Sequence, residues 1–376
     1  MGNVVKSKAK TGSQASGWET LPLFPDLSPC SPLFTREDAA EFSDPFLAEL
    51  AMSIPVQRLK GIGFLGAIDY VKSPNGLQSY RRRHSRFDHS VGVAELALLY
   101  TELGGVSWEE SRVLAAAGLL HDIGHGPLSH TLEPVFQDVF GLGHHQSGVN
   151  ILYGRSPLGN EISTIMSTYR VDLDEVTAMI AGDHAGPLAY LFSGPINLDT
   201  IEGICRSRAF MVKSHRPIDP SQLVASMATS TDTFPINAMD DFWTLKGQVY
   251  NLVIHHPWCL IFDGLAQAYM NHCIDKFGPD DFIKTEDQLR YQEPELFHIF
   301  AWAKTSKRRT YHRVSELFPK VLDYEVRAPR RIFSINKDVS VGCATDLGRR
   351  YTQETEYRSV TIGALLSEAQ SCGEIG

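Results

Sequence analysis

"AGLLHDIGHGPLSHTLE", residues 117–133, sets His121, His125, His130 and Asp122 into a run that is otherwise largely apolar. A buried imidazole or carboxylate is costly unless it is paired or bound to a metal. Upstream, Ser107 with Glu110 three residues on reads as a capping box, and Val113, Ala117, Leu120 and Ile123 continue one apolar face. The stretch is therefore expected at the end of a buried helix. Neighbouring residues there lie about 100° apart, so His121 and Asp122 can reach one point, and His125 is expected on the His121 face. Gly124 and Gly126 are expected to let chain or ligand approach closely, and Pro127 to end the helix.

Working outward, more polar groups sit in apolar helical patterns. His89 lies in "RFDHSVGV", His144 and His145 in "GLGHHQSG", and Asp199 in "SGPINLDTIEGICR". Imidazole with carboxylate is ligand chemistry for Mn, Fe, Ni, Co or Zn, with Mg where carboxylate and water dominate. One HD pair alone is common by chance. The joint pattern of His89, His121–Asp122 and Asp199 points to a bound divalent ion.

The rest of the 376-residue chain bounds the reading. It is 43% hydrophobic and 21% charged, as in soluble globular proteins. Residues 1–45, rich in Pro and Ser, read as an irregular lead, 46–280 as the main helical domain and 281–376 as a helical and mixed C-terminal region. Pro55 and Pro257 are expected to interrupt helices, and Asp172 or Asp174 and Gly182 to bound another. Strand-like residues concentrate in "VLDYEVRAPRRIFSINKDVSVG", residues 321–342.

No segment has the roughly 18–20 apolar residues of a membrane span. The N-terminus lacks an apolar signal core, and Lys6 stands where a myristoylation motif wants Ser or Thr. Six scattered cysteines without a CxxC pair favour a reducing, cytoplasmic setting. The net charge of −9 gives no global pull toward nucleic acid, although "RRRHSR" (81–86) and "KTSKRRTYHR" (304–313) leave that partner open.

These motifs resemble the HD-domain phosphohydrolase superfamily, and within it the bacterial dNTP triphosphohydrolases and the sterile-alpha-motif HD-domain dNTPase. The likeness is carried by "IPVQRLKGIGFLG" (54–66), "SRFDHSVGV" (85–93), residues 117–133, "HHQSG" (144–148), "LFSGPINLDTIEGICRS" (191–207) and, more loosely, "VYNLVIHH" (249–256). The resemblance implies an all-α fold: an HD-domain helical bundle with a helical extension and a small mixed α/β C-terminal region. It implies His89, His121, Asp122 and Asp199 as metal ligands and Arg86 as a phosphate-binding residue. His125 would face the reacting phosphate, His130 the sugar, and His144 would act as general acid oriented by Glu133. Arg206 keeps the family's arginine, on the substrate side.

The same comparison exposes departures. The family carries Lys, Tyr and Asp where this chain has Thr200, Gly203 and Ser207, and Phe64 replaces a polar residue that recognises the sugar. His145 stands where related enzymes often have Glu. The expected function is metal-dependent hydrolysis of a nucleotide or related small-molecule phosphoester, with an altered substrate. One ion is expected, a two-ion site using His144 and His184 being the alternative. A homodimer without membrane attachment is the expected assembly. Two other readings are a di-iron HD-domain oxygenase and a catalytically idle nucleotide-sensing module.

Overall fold

Asp44 opens the first helix: its Oδ1 accepts from the Phe46 amide at 2.9 Å, and Pro45 takes the first helical position, where no amide proton is needed. The structure, a computed structural model, describes residues 42–71, 84–208, 218–229, 234–305 and 320–372. Nearly all of the 1–45 lead, Arg81 to Arg83, and Lys307, Arg308, Arg309 and Arg313 lie outside these residues.

The fold is helical. In order come α1 (Pro45–Met52), α2 (Ile54–Arg58), α3 (Arg86–Leu103), α4 (Trp108–Leu120), α5 (Glu133–Phe140), α6 (His144–Leu152), α7 (Glu161–Tyr169), α8 (Leu173–Ala181), α9 (Tyr190–Ser193), α10 (Leu198–Ser207), α11 (Pro220–Thr229) and α12 (Ile236–Val249). A π-helical turn (Tyr250–Ile254) then leads into α13 (Pro257–His272), α14 (Glu286–Gln292) and α15 (Pro294–Thr305). Pro55 and Pro257 fall in the first turns of α2 and α13, so each starts a helix where a proline ring is tolerated. Asp172 caps α8, and Gly182, with φ 76°, closes it in the left-handed region.

A two-stranded antiparallel sheet completes the C-terminal part. β1 (Glu325–Ile335) pairs along its length with β2 (Tyr351–Thr361), from Glu325↔Thr361 to Ile335↔Tyr351. β1 is the strand expected from the sequence. β2 was not expected, because it is exposed between its two ends and has no alternating apolar face. Each strand of a two-stranded sheet has a free edge, which is why Pro329 fits inside β1.

Two apolar cores hold these elements. One gathers Phe46, Leu47, Leu114, Leu119, Ile151, Ile201 and Phe242 among others. The second unites Phe136, Phe262, Tyr269, Phe282, Phe300 and Leu365. Phe242 is fully buried, and its truncation to Ala is expected to cost about 3–5 kcal/mol.

Small residues decide where the site forms. A Cβ on Gly118 of α4 would lie 2.9 Å from the Ala94 amide nitrogen of α3, so the two helices cross at near-backbone contact. This crossing places the start of α3 beside the end of α4. On the other side of α3, a Cβ on Gly92 would meet Glu202 Oε1 at 2.6 Å, so the glycine makes room for α10. Among the described residues no helix is long and apolar enough to cross a membrane.

Candidate metal centre

His89, in the first turn of α3, and His121, just past the end of α4, face each other with their Nε2 atoms 3.2 Å apart. Asp199, in the first turn of α10, brings Oδ1 to 3.1 Å from His89 Nε2 and 3.6 Å from His121 Nε2. Asp122 Oδ2 lies 3.6 Å and 3.5 Å from the same two nitrogens. His89, His121 and Asp199 thus place their ligand atoms within 4.8 Å of one another, and Asp122 flanks both imidazoles.

The outer nitrogens are already engaged. His89 Nδ1 meets Glu202 Oε2 at 2.5 Å, and His121 Nδ1 meets the Gly118 carbonyl at 2.8 Å. Both acceptors demand an Nδ1 proton, so in the neutral tautomer both Nε2 atoms present lone pairs inward. Two imidazole lone pairs and a carboxylate oxygen within 4.8 Å of one another could hold a cation. Bond lengths of roughly 2.0–2.2 Å give ligand–ligand edges near the 3.1–3.6 Å found here. The donor set thus fits a divalent metal ion.

Burial alone would lower the His89 imidazole, but the hydrogen bonds to Asp199 and Glu202 outweigh it and raise the group to about 9. Burial favours the neutral form of Asp199, yet its bonds from His121 and His89 hold it well below the usual carboxylate range. Asp122 is held low against its burial by the Arg86 guanidinium.

A second cluster adjoins the first. His125, His130, Glu133 and His144 place their ligand-type atoms within 4.8 Å of one another. His144 Nδ1 meets Glu133 Oε1 at 2.5 Å, and the same oxygen accepts from the His144 amide at 2.8 Å. Glu133 Oε2 takes His130 Nδ1 at 2.8 Å. Burial favours the neutral acid, but these two imidazole bonds hold Glu133 well below the usual carboxylate range. The His125 ring stacks on His144, centroids 4.2 Å apart. His125 Nε2 is 3.2 Å from Asp122 Oδ1, and neither buried ring nitrogen makes an aligned hydrogen bond. Burial, and then the Arg86 charge, keep that imidazole neutral by pulling it well below its ordinary value.

The expectation that His125 shares a helical face with His121 does not hold. α4 ends at Leu120, a sequence of turns follows, and Pro127 lies beyond the helix rather than ending it. The glycines make room for chain: a Cβ on Gly124 would sit 1.9 Å from the His144 carbonyl oxygen, and one on Gly126 would lie 2.6 Å from the Phe282 carbonyl oxygen. Gly124 is what lets α6 deliver His144 over the site.

Other expected residues hold different positions. Arg86 is buried, with Nη1 2.6 Å from Asp122 Oδ2 and Nε donating to Ser129 Oγ at 3.0 Å, so it braces a metal-side carboxylate. Arg206 bonds Glu202, His84 and the Asp88 carbonyl, which puts it behind Glu202, away from the convergence point. Glu202, which by the resemblance keeps the family's acid beside Arg206 but is given no role in the site, orients His89. Its signal was its place one turn after Asp199 on the same helix. His184 is held by Glu175 and the Gly186 amide, and no contact ties it to either cluster among the described residues.

The departures at α10 also have structural accounts. Thr200 closes a capping box with Asn197, and Ser207 is buried. Gly203 faces Phe64, whose Cζ would lie 3.3 Å from an added Cβ, while the Phe64 ring packs 4.7 Å from that of His89. The large residue at 64 and the absent side chain at 203 are one exchange of volume.

Comparison with known proteins places this geometry in a class. The HD domain family model matches residues 86–192, the segment that carries His89, His121 and Asp122. The chain is 27% identical over 224 residues to the uncharacterized protein YwfO of Bacillus subtilis strain 168, covering 57% of this chain and 49% of YwfO. It is 30% identical over 154 residues to the deoxynucleoside triphosphate triphosphohydrolase SAMHD1 of Gallus gallus, covering 38% of this chain and 24% of that protein. The chain thus spans about half the length, or less, of these relatives. Among solved structures, a hypothetical protein from Aquifex aeolicus shares the fold with a TM-score of 0.59 at 20% identity, over 89% of this chain and 99% of that one. A phosphohydrolase from Bacteroides thetaiotaomicron does so with a TM-score of 0.52 at 16% identity, over 79% and 80%. Residues 86–192 thus match an HD domain, and the fold is shared with a solved phosphohydrolase.

Proposed function

We propose that this protein is a metal-dependent phosphohydrolase acting on a nucleotide or related small phosphoester. The observation that carries the reading is the approach of His89 Nε2, His121 Nε2 and Asp199 Oδ1 to within 4.8 Å of one another, with Asp122 Oδ2 flanking both imidazoles and both Nδ1 atoms already committed elsewhere. These residues would hold one divalent ion, of the Mn, Fe, Ni, Co, Zn or Mg group. When bound, the ion supplies Lewis-acid polarisation of a phosphoryl oxygen.

The protein's own groups would do the rest. His125, neutral and without an aligned partner, is placed to donate to the reacting phosphate. Glu133 fixes the His144 tautomer with the proton on Nδ1, and the protonated His144 would release the Nε2 proton to the leaving oxygen. His130 shares Glu133 but is largely exposed, as suits a residue facing the body of a substrate. Arg86 holds Asp122 in place, and any phosphate contact it makes would be shared with that duty.

The test is the purified protein with Mn, Co or Ni against a phosphoester panel. The expected result is release of phosphate or pyrophosphate that disappears in His121→Ala. Absence of release with every metal and ester would overturn the reading in favour of an idle nucleotide-sensing module.

A further inference from the structure

Lys246 on α12 is 5% exposed. Its ammonium donates to the Pro195 carbonyl at 3.1 Å and lies 4.7 Å and 5.6 Å from the ring centres of Trp243 and Phe333. Arg331 of β1 is half-buried. Its Nη1 donates to the Tyr250 hydroxyl at 2.7 Å, and its guanidinium lies 5.0 Å from the Tyr250 ring centre. Among the described residues neither cation forms an ion pair. The buried arginines Arg86, Arg112 and Arg350 each meet a carboxylate, Asp122, Asp44 and Asp240, whereas the buried Arg58 is held by the Ile123 and Ile283 carbonyls. A charge withdrawn from water needs a counter-charge. Here Arg331 lies on Tyr250, Lys246 lies on Phe333, and neither is ion-paired among the described residues.

The place matters as much as the charge. Pro195 is four residues ahead of Asp199, at the turn into α10. Burial lowers the Lys246 ammonium to about 8, while the Asp199 charge opposes that shift and Arg331 adds to it. Burial raises the Tyr250 phenol, Arg331 opposes that, and Asp199 adds to it. Both side chains are therefore within electrostatic reach of the metal-side carboxylate. Tyr250 opens the π-helical turn, a local widening that often marks functional sites. His255, at the end of that turn, has a buried Nδ1 without a hydrogen-bond partner among the described residues, while its ring meets the Pro329 backbone and feels the Arg331 charge. Meanwhile α10 offers no cation at Thr200, Gly203 or Ser207.

We propose that Lys246, Tyr250 and Arg331 form an anion subsite beside the metal centre. It takes a phosphate of the substrate other than the one being cleaved, so the substrate carries at least two. This rests on the phosphohydrolase reading and names where the rest of a phosphate chain lies. The cations that α10 lacks come from α12 and β1.

The experiment is calorimetric binding of inorganic tripolyphosphate and of orthophosphate to the Mn-loaded full chain. It compares wild type with Lys246→Met, Arg331→Gln, Arg331→Lys and Tyr250→Phe, with bound Mn measured in each. Tripolyphosphate is expected to bind more tightly than orthophosphate. Lys246→Met and Arg331→Gln should each weaken it about tenfold or more, Arg331→Lys should recover part of that, and Mn content should not move. Lys246→Met also removes the Pro195 bond, so the half-buried Arg331 decides where Lys246→Met fails to fold. Unchanged tripolyphosphate affinity in folded Arg331→Gln overturns the subsite, as does a wild type that does not bind tripolyphosphate. If the variants lose tripolyphosphate while wild type hydrolyses no ester, the subsite stands and the hydrolase reading falls. If an ester is hydrolysed and neither cation affects tripolyphosphate, the reverse holds.

Discussion

Two clusters of histidine and carboxylate meet at Asp122, and they are wired in opposite ways. Around His89 and His121, each Nδ1 is tied outward, to Glu202 or to the Gly118 carbonyl, and each Nε2 points inward beside two carboxylate oxygens. Around Glu133, one acid receives two Nδ1 atoms and the imidazoles stack or meet edge to face. The same residue types therefore make a lone-pair trap in one place and a proton-handling group in the other. Residue identity does not distinguish them; the acceptor behind each ring does.

Four perturbations test that division. The largest effect is expected from His121→Ala: release of phosphate should fall below detection and bound metal, counted by mass spectrometry, should fall with it. His144→Gln should lower turnover by about 10²–10⁴-fold with metal content intact; loss of metal there would merge the two clusters into one ligand set. Arg86→Gln should reduce metal affinity by about 10–100-fold through Asp122, as support residues of metal ligands commonly do. Metal titration that matches wild type, with only substrate binding weakened, would return Arg86 to a purely phosphate-binding role.

The smallest effect concerns acid stability. Glu133 sits below its ordinary range when folded, so the folded chain binds fewer protons there than the unfolded chain. The stability from its bonds to His130 and His144 is thus present above about pH 4.3, the ordinary glutamate value, and is lost as pH falls toward the folded value. The Tm gap between wild type and Glu133→Gln should narrow below about pH 4. A gap that widens on acidification would contradict the assignment.

Much of this was legible in the sequence for physical reasons. The helix caps and breaks at Asp172, Gly182, Pro55 and Pro257 are local, and the structure has them where local rules put them. The residues His89, His121, Asp122 and Asp199 stood out because polar residues in buried helix ends are costly and hence informative. What the sequence hid was non-local. Arg86 looks like a free guanidinium until Asp122 is seen 2.6 Å away. Arg206 looks like a substrate contact until Glu202 is found in front of it. Lys246 and Arg331 lie 85 positions apart and come near each other only because β1 packs against α12, Lys246 on Phe333 and Arg331 on Tyr250. β2 went unread because exposed strands leave no alternating pattern.

The contact of Gly118 with Ala94 has a consequence for the candidate metal centre. The gap between the two facing imidazoles is set by how closely two backbones approach, and no ligand residue takes part in that contact. The spacing of the two imidazoles is therefore inherited from the scaffold. A single methyl group added at position 118 would act as a wedge between α3 and α4 and push the facing rings apart with His89 and His121 both still in the sequence.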